Sequence, residues 1–284
     1  MKLLTYDDPL AFACKAEPIL SEGEDVYSLF NGVLQAIKAG MVKDPFMASV
    51  ELDGRVIALF QMTPPFPLNM IFTDEQHMNS AIDTLAEYLL SNEIELPSII
   101  SLKPWAKRFS ASWTAKTSQS SKVIMDQGLY RLDNVNETLD KSPGKHRLAE
   151  DSDRTLLEEW YVGFIGDTKM PEVTSDQAAE WVARTVELQE IVLWEDNGVP
   201  VACAKRARPT LNSVTVSFVY TPPEFRRKGY AQTLVADFSK DLLNDYQFCM
   251  LYTDMMNPTS NKIYQEIGYQ KIADSVQLGF EVIG

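Results

Sequence analysis

From Ser213 to Tyr220, polar Ser213, Thr215 and Ser217 alternate with apolar Val214, Val216 and Phe218, the period-two pattern of a strand. Either Val214, Val216 and Phe218 or Thr215, Ser217 and Val219 then face inward. Beyond a turn, Ala231, Leu234, Val235, Phe238 and Leu242 recur at helical spacing, which predicts a helix over 231–243 with one buried face. Upstream, Glu190 to Glu195 and Val199 to Lys205 flank Asp196-Asn197-Gly198 and read as a hairpin. Arg147 to Ala149 reads as the start of a strand, Asp151 or Ser152 caps a helix through Phe164, and Ser175 to Leu188 forms a second helix. Phe248 to Thr253 is another strand and Pro258 to Ile267 a short helix. Tyr269 to Ala273 and Val276 to Phe280 are two closing strands.

Much of this order occurs earlier in the chain. Phe46 to Leu52 and Val56 to Thr63 flank Asp53-Gly54, followed by a strand at Asn69 to Thr73 and a helix at Asn79 to Leu90. Ser98 to Leu102, Trp105 to Thr114 and Val123 to Leu132 then read as strand, helix and strand. Gly54 and Gly198 take equivalent turn positions 144 residues apart. We read a tandem duplication of α+β units, residues 1–141 and 142–284, with 142–147 as linker; low identity between the halves leaves two unrelated units as the alternative.

The two strand-to-helix corners differ in chemistry. Thr221-Pro222-Pro223-Glu224-Phe225-Arg226-Arg227-Lys228-Gly229-Tyr230-Ala231 stops its strand with prolines, supplies cations, and has a glycine that tolerates positive φ at the helix start. Free main-chain N–H groups and the positive end of a helix dipole make such a corner an anion site. The amides of roughly 228–231 are placed to bind a pyrophosphate; an ordinary solvated basic turn is the alternative. The earlier corner, Asp74-Glu75-Gln76-His77-Met78, has two acids and no glycine, the wrong electrostatics for phosphate.

Composition narrows the function classes. The chain has 284 residues, 45% hydrophobic and 23% charged, the profile of a soluble globular protein. Its net charge is −14, and the acid is even: 12 Lys and Arg against 19 Asp and Glu before residue 142, 14 against 21 after it. With no basic stripe, nucleic acid is not expected as a partner. The acidity suits a cationic substrate, although solubility explains it equally well. Cys14, Cys203 and Cys249 are dispersed and odd in number, forming neither a disulfide framework nor a metal site. No apolar run reaches the ~18 residues of a membrane span, and Asp7, Asp8 and Pro9 interrupt any leader-like core before Cys14. A cytoplasmic protein without a metal is expected; the oligomeric state is not legible.

A second segment, Asn257-Pro258-Thr259-Ser260-Asn261-Lys262-Ile263-Tyr264-Gln265-Glu266-Ile267-Gly268-Tyr269, begins with a capping Asn and a first-position Pro and ends on Gly. Those signals account for the helix itself. They leave Asn261 and Tyr264, three residues apart on one face, unexplained.

With these residues in place, the C-terminal half resembles the GNAT superfamily of N-acetyltransferases. Arg226, Gly229 and Ala231 match its R/Q-x-x-G-x-G/A motif, and the order of elements from Arg147 to Phe280 is similar to that fold. The N-terminal half resembles a degenerate second copy in pattern only. The fold implied is tandem GNAT-like domains, each a mixed, mostly antiparallel sheet flanked by helices. The resemblance also implies acetyl-CoA as co-substrate. Its pyrophosphate would lie on the amides of Arg227, Lys228, Gly229, Tyr230 and Ala231, and its pantetheine arm along the main chain of Val219, Tyr220 and Thr221. Asn257, Ser260, Tyr264, Gly268 and Tyr269 fit a family stretch that packs beside the cofactor thiol, and Asn261 shares that helix face. The role implied for Tyr264 is donation of a hydrogen bond or proton to the leaving thiolate, with a plain core tyrosine as the alternative. A tyrosine near pKa ~10 against a thiol near ~8.5 makes full transfer uphill by roughly 2 kcal/mol, so hydrogen bonding is the expected contribution.

The reaction expected is acetyl transfer to a primary amine of a small molecule. Another acyl-CoA or a peptide amine, and a non-catalytic CoA-binding protein, are the alternatives. The amine must lose a proton near pKa ~10.4, and no inward position of the central strand carries a carboxylate to take it. Asp254, Glu158 and Glu159 are candidate bases, each with a solvated or capping role as the alternative. His77 and His146 sit in no motif, and Cys203 and Cys249 read as core, which disfavours an acyl-cysteine route.

Overall fold

The structure, a computed structural model, describes residues 1–168 and 170–282. The first repeat runs β1 (Lys2–Thr5), α1 (Pro9–Glu22), α2 (Ser28–Lys38), β2 (Phe46–Leu52), β3 (Arg55–Met62), β4 (Leu68–Phe72), α3 (Met78–Ser91), β5 (Ser98–Leu102), α4 (Lys103–Lys116) and β6 (Gln119–Leu132). The second runs β7 (Lys145–Leu148), α5 (Arg154–Thr168), α6 (Ser175–Glu187), β8 (Ile191–Asp196), β9 (Val199–Ala207), β10 (Ser213–Tyr220), α7 (Tyr230–Leu242), β11 (Phe248–Asp254), α8 (Pro258–Ile267) and β12 (Gln270–Val282). The order of strands and helices is the same in both. Among the described residues, single 3₁₀ turns at Asp151–Asp153 and Pro223–Phe225 occur only in the second.

Three sequence readings change. The first repeat opens with β1, α1 and α2, which the hydrophobic pattern did not mark. The two expected closing strands are one continuous strand, β12. Part of the expected linker, Lys145 to Arg147, already pairs with β8 as β7.

The chain packs as two units. One comprises Met1–Leu129, Tyr252–Asn257 and Lys271–Gly284; the other comprises Tyr130–Leu251 and Pro258–Gln270. Packing therefore interleaves along the chain. In the first unit, β1-β2-β3-β4-β5-β12 lie in order, with β4 and β5 parallel and the other pairs antiparallel. In the second, β7-β8-β9-β10-β11 lie in order, with β10 and β11 parallel and the rest antiparallel.

The hairpin turns confirm the repeat in detail. Asp53 and Gly54 have φ of 50° and 80°, and Asn197 and Gly198 have φ of 53° and 78°. Two successive left-handed residues match the twist of the flanking strands, and Asp-Gly and Asn-Gly are the dipeptides that adopt this turn readily.

In the second unit the sheet buries both faces. Ala202, Ala204, Val214, Val216 and Leu251 pack with Leu234, Val235 and Phe238 of α7. On the opposite face, Ile191, Leu193 and Cys203 pack with Leu157 and Trp160 of α5 and Val182 of α6. These elements place the strand-to-helix corner after β10 and the tyrosine of α8.

Candidate active site

The corner begins where β10 stops. Thr221-Pro222 leaves the sheet, and Gly229 caps α7 at φ 78°, ψ 0°. Arg227 also takes a left-handed φ of 65°, so left-handed residues alternate with Lys228 along the turn. Such a backbone turns successive N–H groups toward one concavity. Among the described residues, the main-chain N–H groups of Arg227, Lys228 and Gly229 have no acceptor within the protein. Those of Tyr230 and Ala231, in the first turn of α7, have no intrahelical acceptor either. Ser142 Oγ donates to Lys228 O at 2.7 Å, and the Ser142 N–H donates to Thr233 Oγ1 at 2.9 Å. A Cβ on Gly229 would meet that Ser142 oxygen at 2.7 Å, so a side chain there would have to displace Ser142 as well as adopt an unfavourable φ.

The side chains of the corner have separate tasks. Arg226 Nε donates to Thr221 O at 2.8 Å, and its guanidinium pairs with the Asp167 carboxylate of α5 and lies 5.8 Å from the Tyr220 ring centroid. Its charge is thus engaged inside the protein, and it braces the corner against α5. Tyr220 packs closely on α5: a Cβ on Gly163 would lie 2.3 Å from its hydroxyl. Tyr230 is buried and donates to Asp196 Oδ2 at 2.5 Å, which turns its ring away from solvent and raises its pKa. Thr221 Oγ1 is buried without a hydrogen-bond partner. An orphaned hydroxyl of this kind calls for a ligand group or water.

β10 pairs with β11 only from Ser213 to Thr215, against Phe248 to Met250. Past Thr215 its main chain on that side has no ladder partner among the described residues. On the other side the β9 register jumps: Ser217 faces Lys205, but Tyr220 faces Cys203. Phe218 and Val219 together therefore oppose Ala204, a β-bulge. Phe218 has φ 48°, unusual for an aromatic residue.

The bulge corrects the single inward parity expected for this strand. Val214 and Val216 belong to the α7 face, whereas Phe218 and Tyr220 belong to the α5/α6 face; Val219 packs back on the α7 side. The Phe218 ring meets Tyr161, Phe164 and Trp181 edge-on, at centroid distances of 5.7, 5.3 and 5.1 Å. Each such pair contributes ~0.5–1.5 kcal/mol beyond burial. A left-handed non-glycine residue costs roughly 1–2 kcal/mol, so three ring pairs together outweigh it.

Helix α8 keeps the boundaries read from the sequence. Gly268 closes it at φ 121°, and a Cβ there would lie 2.8 Å from Asn134 O. Tyr264 belongs to the buried cluster that holds Val214 and Val216, and its ring lies edge-on to Tyr269 at 6.1 Å. Burial pushes its phenol up to about 12. Among the described residues, its hydroxyl has no hydrogen-bond partner.

This assembly invites comparison with known folds. An acetyltransferase of the GNAT family from Colwellia psychrerythraea superposes with a TM-score of 0.61 at 13% identity, covering 99% of this chain and 100% of that one. A GCN5-related N-acetyltransferase from Sphaerobacter thermophilus gives 0.63 at 11% identity, with coverage of 97% and 94%. The fold is that of the GNAT acetyltransferases. A tandem GNAT protein from the clavulanic acid biosynthesis pathway is similar over 100% of this chain and 99% of its own, with a TM-score of 0.60 and 8% identity. Residues 199–278 match the model of the FR47-like protein family, which spans β9 through most of β12 and so includes the corner and α8. No curated protein sequence matches the chain. The resemblance read from the motif thus holds for the fold and for the C-terminal repeat.

The other expected residues are spread over several elements. Asn257 and Asp254 lie in the segment 252–257 that packs with the first unit, where the Asn257 N–H donates to Asp254 O at 3.0 Å. Ser260 and Asn261 lie on α8, partly exposed. Glu158 is partly exposed and Glu159 exposed on α5. His146 bonds Asp241 at 2.8 Å and stacks on Trp194; His77 bonds Asp74 at 2.9 Å. Cys203 and Cys249 are buried, and burial raises both thiols, Cys249 to about 12, so neither readily forms a nucleophilic thiolate. No metal-ligating cluster occurs among the described residues, and none of their helices is long and apolar enough to cross a membrane. Sequence reasoning missed the bulge and the Arg226–Asp167 brace. The mid-helix Gly163 was a signal for close packing on α5.

Proposed function

We propose that the C-terminal repeat transfers an acetyl group from acetyl-CoA to a primary amine of a small molecule, and that residues 1–141 form a GNAT-like repeat without a phosphate-binding turn. The observation that carries this reading is the corner itself. Its amides from Arg227 to Ala231 lack protein acceptors beside an open strand edge and an orphaned Thr221 hydroxyl. These residues fit the cofactor: the amides and the α7 dipole hold a diphosphate, and the main chain of Val219, Tyr220 and Thr221 offers ladder groups to an extended amide-bearing arm.

Bound acetyl-CoA supplies an activated thioester. The amine nitrogen would form a bond to the acetyl carbon as the carbon–sulfur bond breaks, and the proton that the nitrogen then sheds would pass, directly or through water, to the departing thiolate. A main-chain N–H at the β10 bulge donates to the carbonyl oxygen as charge grows there. Tyr264 donates a hydrogen bond to the departing sulfur. With its phenol near 12, complete transfer to a thiolate near ~8.5 is uphill by about 5 kcal/mol, so Tyr264 acts by hydrogen bonding and keeps its proton. The amine reaches the site neutral, its proton taken by a carboxylate directly or through water; Asp254, Glu158 and Glu159 remain the candidates. A cytoplasmic reaction that involves no nucleic acid fits the dispersed cysteines and the acidic charge balance.

Acetyl-CoA consumption over a panel of amines, with wild type beside Tyr264→Phe, tests the reaction. Turnover with a small primary amine, slowed in the variant, supports it. Turnover only with a longer acyl-CoA or a peptide amine reassigns the substrates, and tight CoA binding with no turnover leaves a binding protein.

A further inference from the structure

We propose that Phe218 is a positioning residue, whose ring, gripped between α5 and α6, holds the β10 bulge and so aims the main-chain N–H that meets the acetyl oxygen. This rests on the acyl-transfer reading above. Three independent observations converge on Phe218. It is the residue at which β10 reverses the faces of its side chains. It holds a left-handed φ of 48° in mid-strand. Its side chain, 5% exposed, is met edge-on by Tyr161 and Phe164 of α5 and by Trp181 of α6.

The gripping rings are themselves fixed. Tyr161 and Trp181 stack face to face at 4.0 Å with an interplanar angle of 6°, so α5 and α6 present one rigid surface to Phe218. Without that surface, a regular ladder to β9 would recover the pairing lost at the bulge and turn Phe218 to the other face. The main chain that the register jump takes out of the β9 ladder at 218–219 would then return to it. A bulge that depends on two helices outside the sheet gives those helices control over the donor, although neither supplies a hydrogen bond to the acetyl group.

Glycine separates the two explanations of this residue. If only the backbone angle matters, Phe218→Gly preserves function, because glycine adopts φ 48° without strain. If the ring is the clamp, Phe218→Gly frees the bulge. We expect kcat to fall about 10- to 100-fold in Phe218→Gly, toward the loss of an oxyanion donor, while the Kd for CoA stays within about 2-fold because the corner is untouched. Amide hydrogen exchange of the ligand-free protein should accelerate across 217–220. Trp181→Leu, which leaves β10 unaltered, should move both readouts the same way by less, and it serves if Phe218→Gly does not fold. Wild-type kcat and wild-type exchange in these variants would overturn the proposal. If the wild type turns over no amine, the acyl-transfer reading fails, and exchange at 217–220 alone decides whether the ring holds the bulge.

Discussion

The corner after β4 and the corner after β10 occupy the same place in their repeats, yet they treat their amides in opposite ways. In the first, Asp74 Oδ1 accepts from the N–H groups of Gln76 and His77 at 2.9 and 3.3 Å, and Asp74 Oδ2 bonds His77 Nδ1 at 2.9 Å. The chain supplies its own anion there. In the second, the prolines, the left-handed Arg227 and Gly229 leave the amides open. The strands differ as well. β4 meets β3 in unbroken register, Ala58 to Gln61 against Phe72 to Asn69, whereas β10 bulges at Phe218. Between β4 and β5 the first unit leaves a cavity of about 30 Å³, room for a water molecule rather than a pantetheine arm. Tyr252, whose hydroxyl bonds Ser28 Oγ at 2.7 Å and accepts from the Leu29 N–H at 3.1 Å, lines it. The first packing unit fills with side chains the two features that the second keeps open.

The strongest break of this contrast is Gly229→Val. It forces a branched side chain into φ 78° and against Ser142, and we expect CoA affinity to fall at least ~100-fold by calorimetry, with the fold retained. Tyr264→Phe comes next. It should lower kcat about 10- to 100-fold with little change in KM for acetyl-CoA, as expected for an interaction made while the sulfur departs. Because the phenol stays protonated until about pH 12, the wild-type kcat profile should show no falling limb from this group below about pH 10. A Tyr264-dependent fall near neutrality would remove the assigned role.

Smaller effects sharpen the comparison. Arg226→Ala removes a brace whose partners are half exposed, so a change of only a few-fold in CoA affinity is expected. Asp74→Ala should lower the melting temperature slightly and leave CoA affinity unchanged, since the first corner has no share in binding. The bonds from His77 hold the Asp74 carboxyl below its usual range. Its contribution is therefore complete above pH ~4 and is lost as pH falls through the lowered pKa, so wild type and variant should converge in stability in strong acid.

Much of this was legible in the sequence because local chemistry decided it. The Asp53-Gly54 and Asn197-Gly198 turns, the helix from Pro258 to Ile267 and the glycine corner follow from backbone preferences of a few residues. The opening helices α1 and α2 were not. α1 begins with an Asp8 cap and a first-position Pro9, but Pro18 lies inside it and breaks the helical reading, and α2 starts without a side-chain cap. The long-range features were also hidden. Alternation predicts one face for Val214, Val216 and Phe218, and only the rings of Tyr161, Phe164 and Trp181, more than thirty residues away in the chain, explain the reversal. The Arg226–Asp167 pair spans 59 residues and has no local signature.

The most direct test is amide hydrogen exchange of the full chain with and without saturating CoA. Protection gained at 227–231, with none at 74–78, is the predicted result. Protection at 74–78, or binding that leaves 227–231 unchanged, would contradict the assignment of the diphosphate to the open corner.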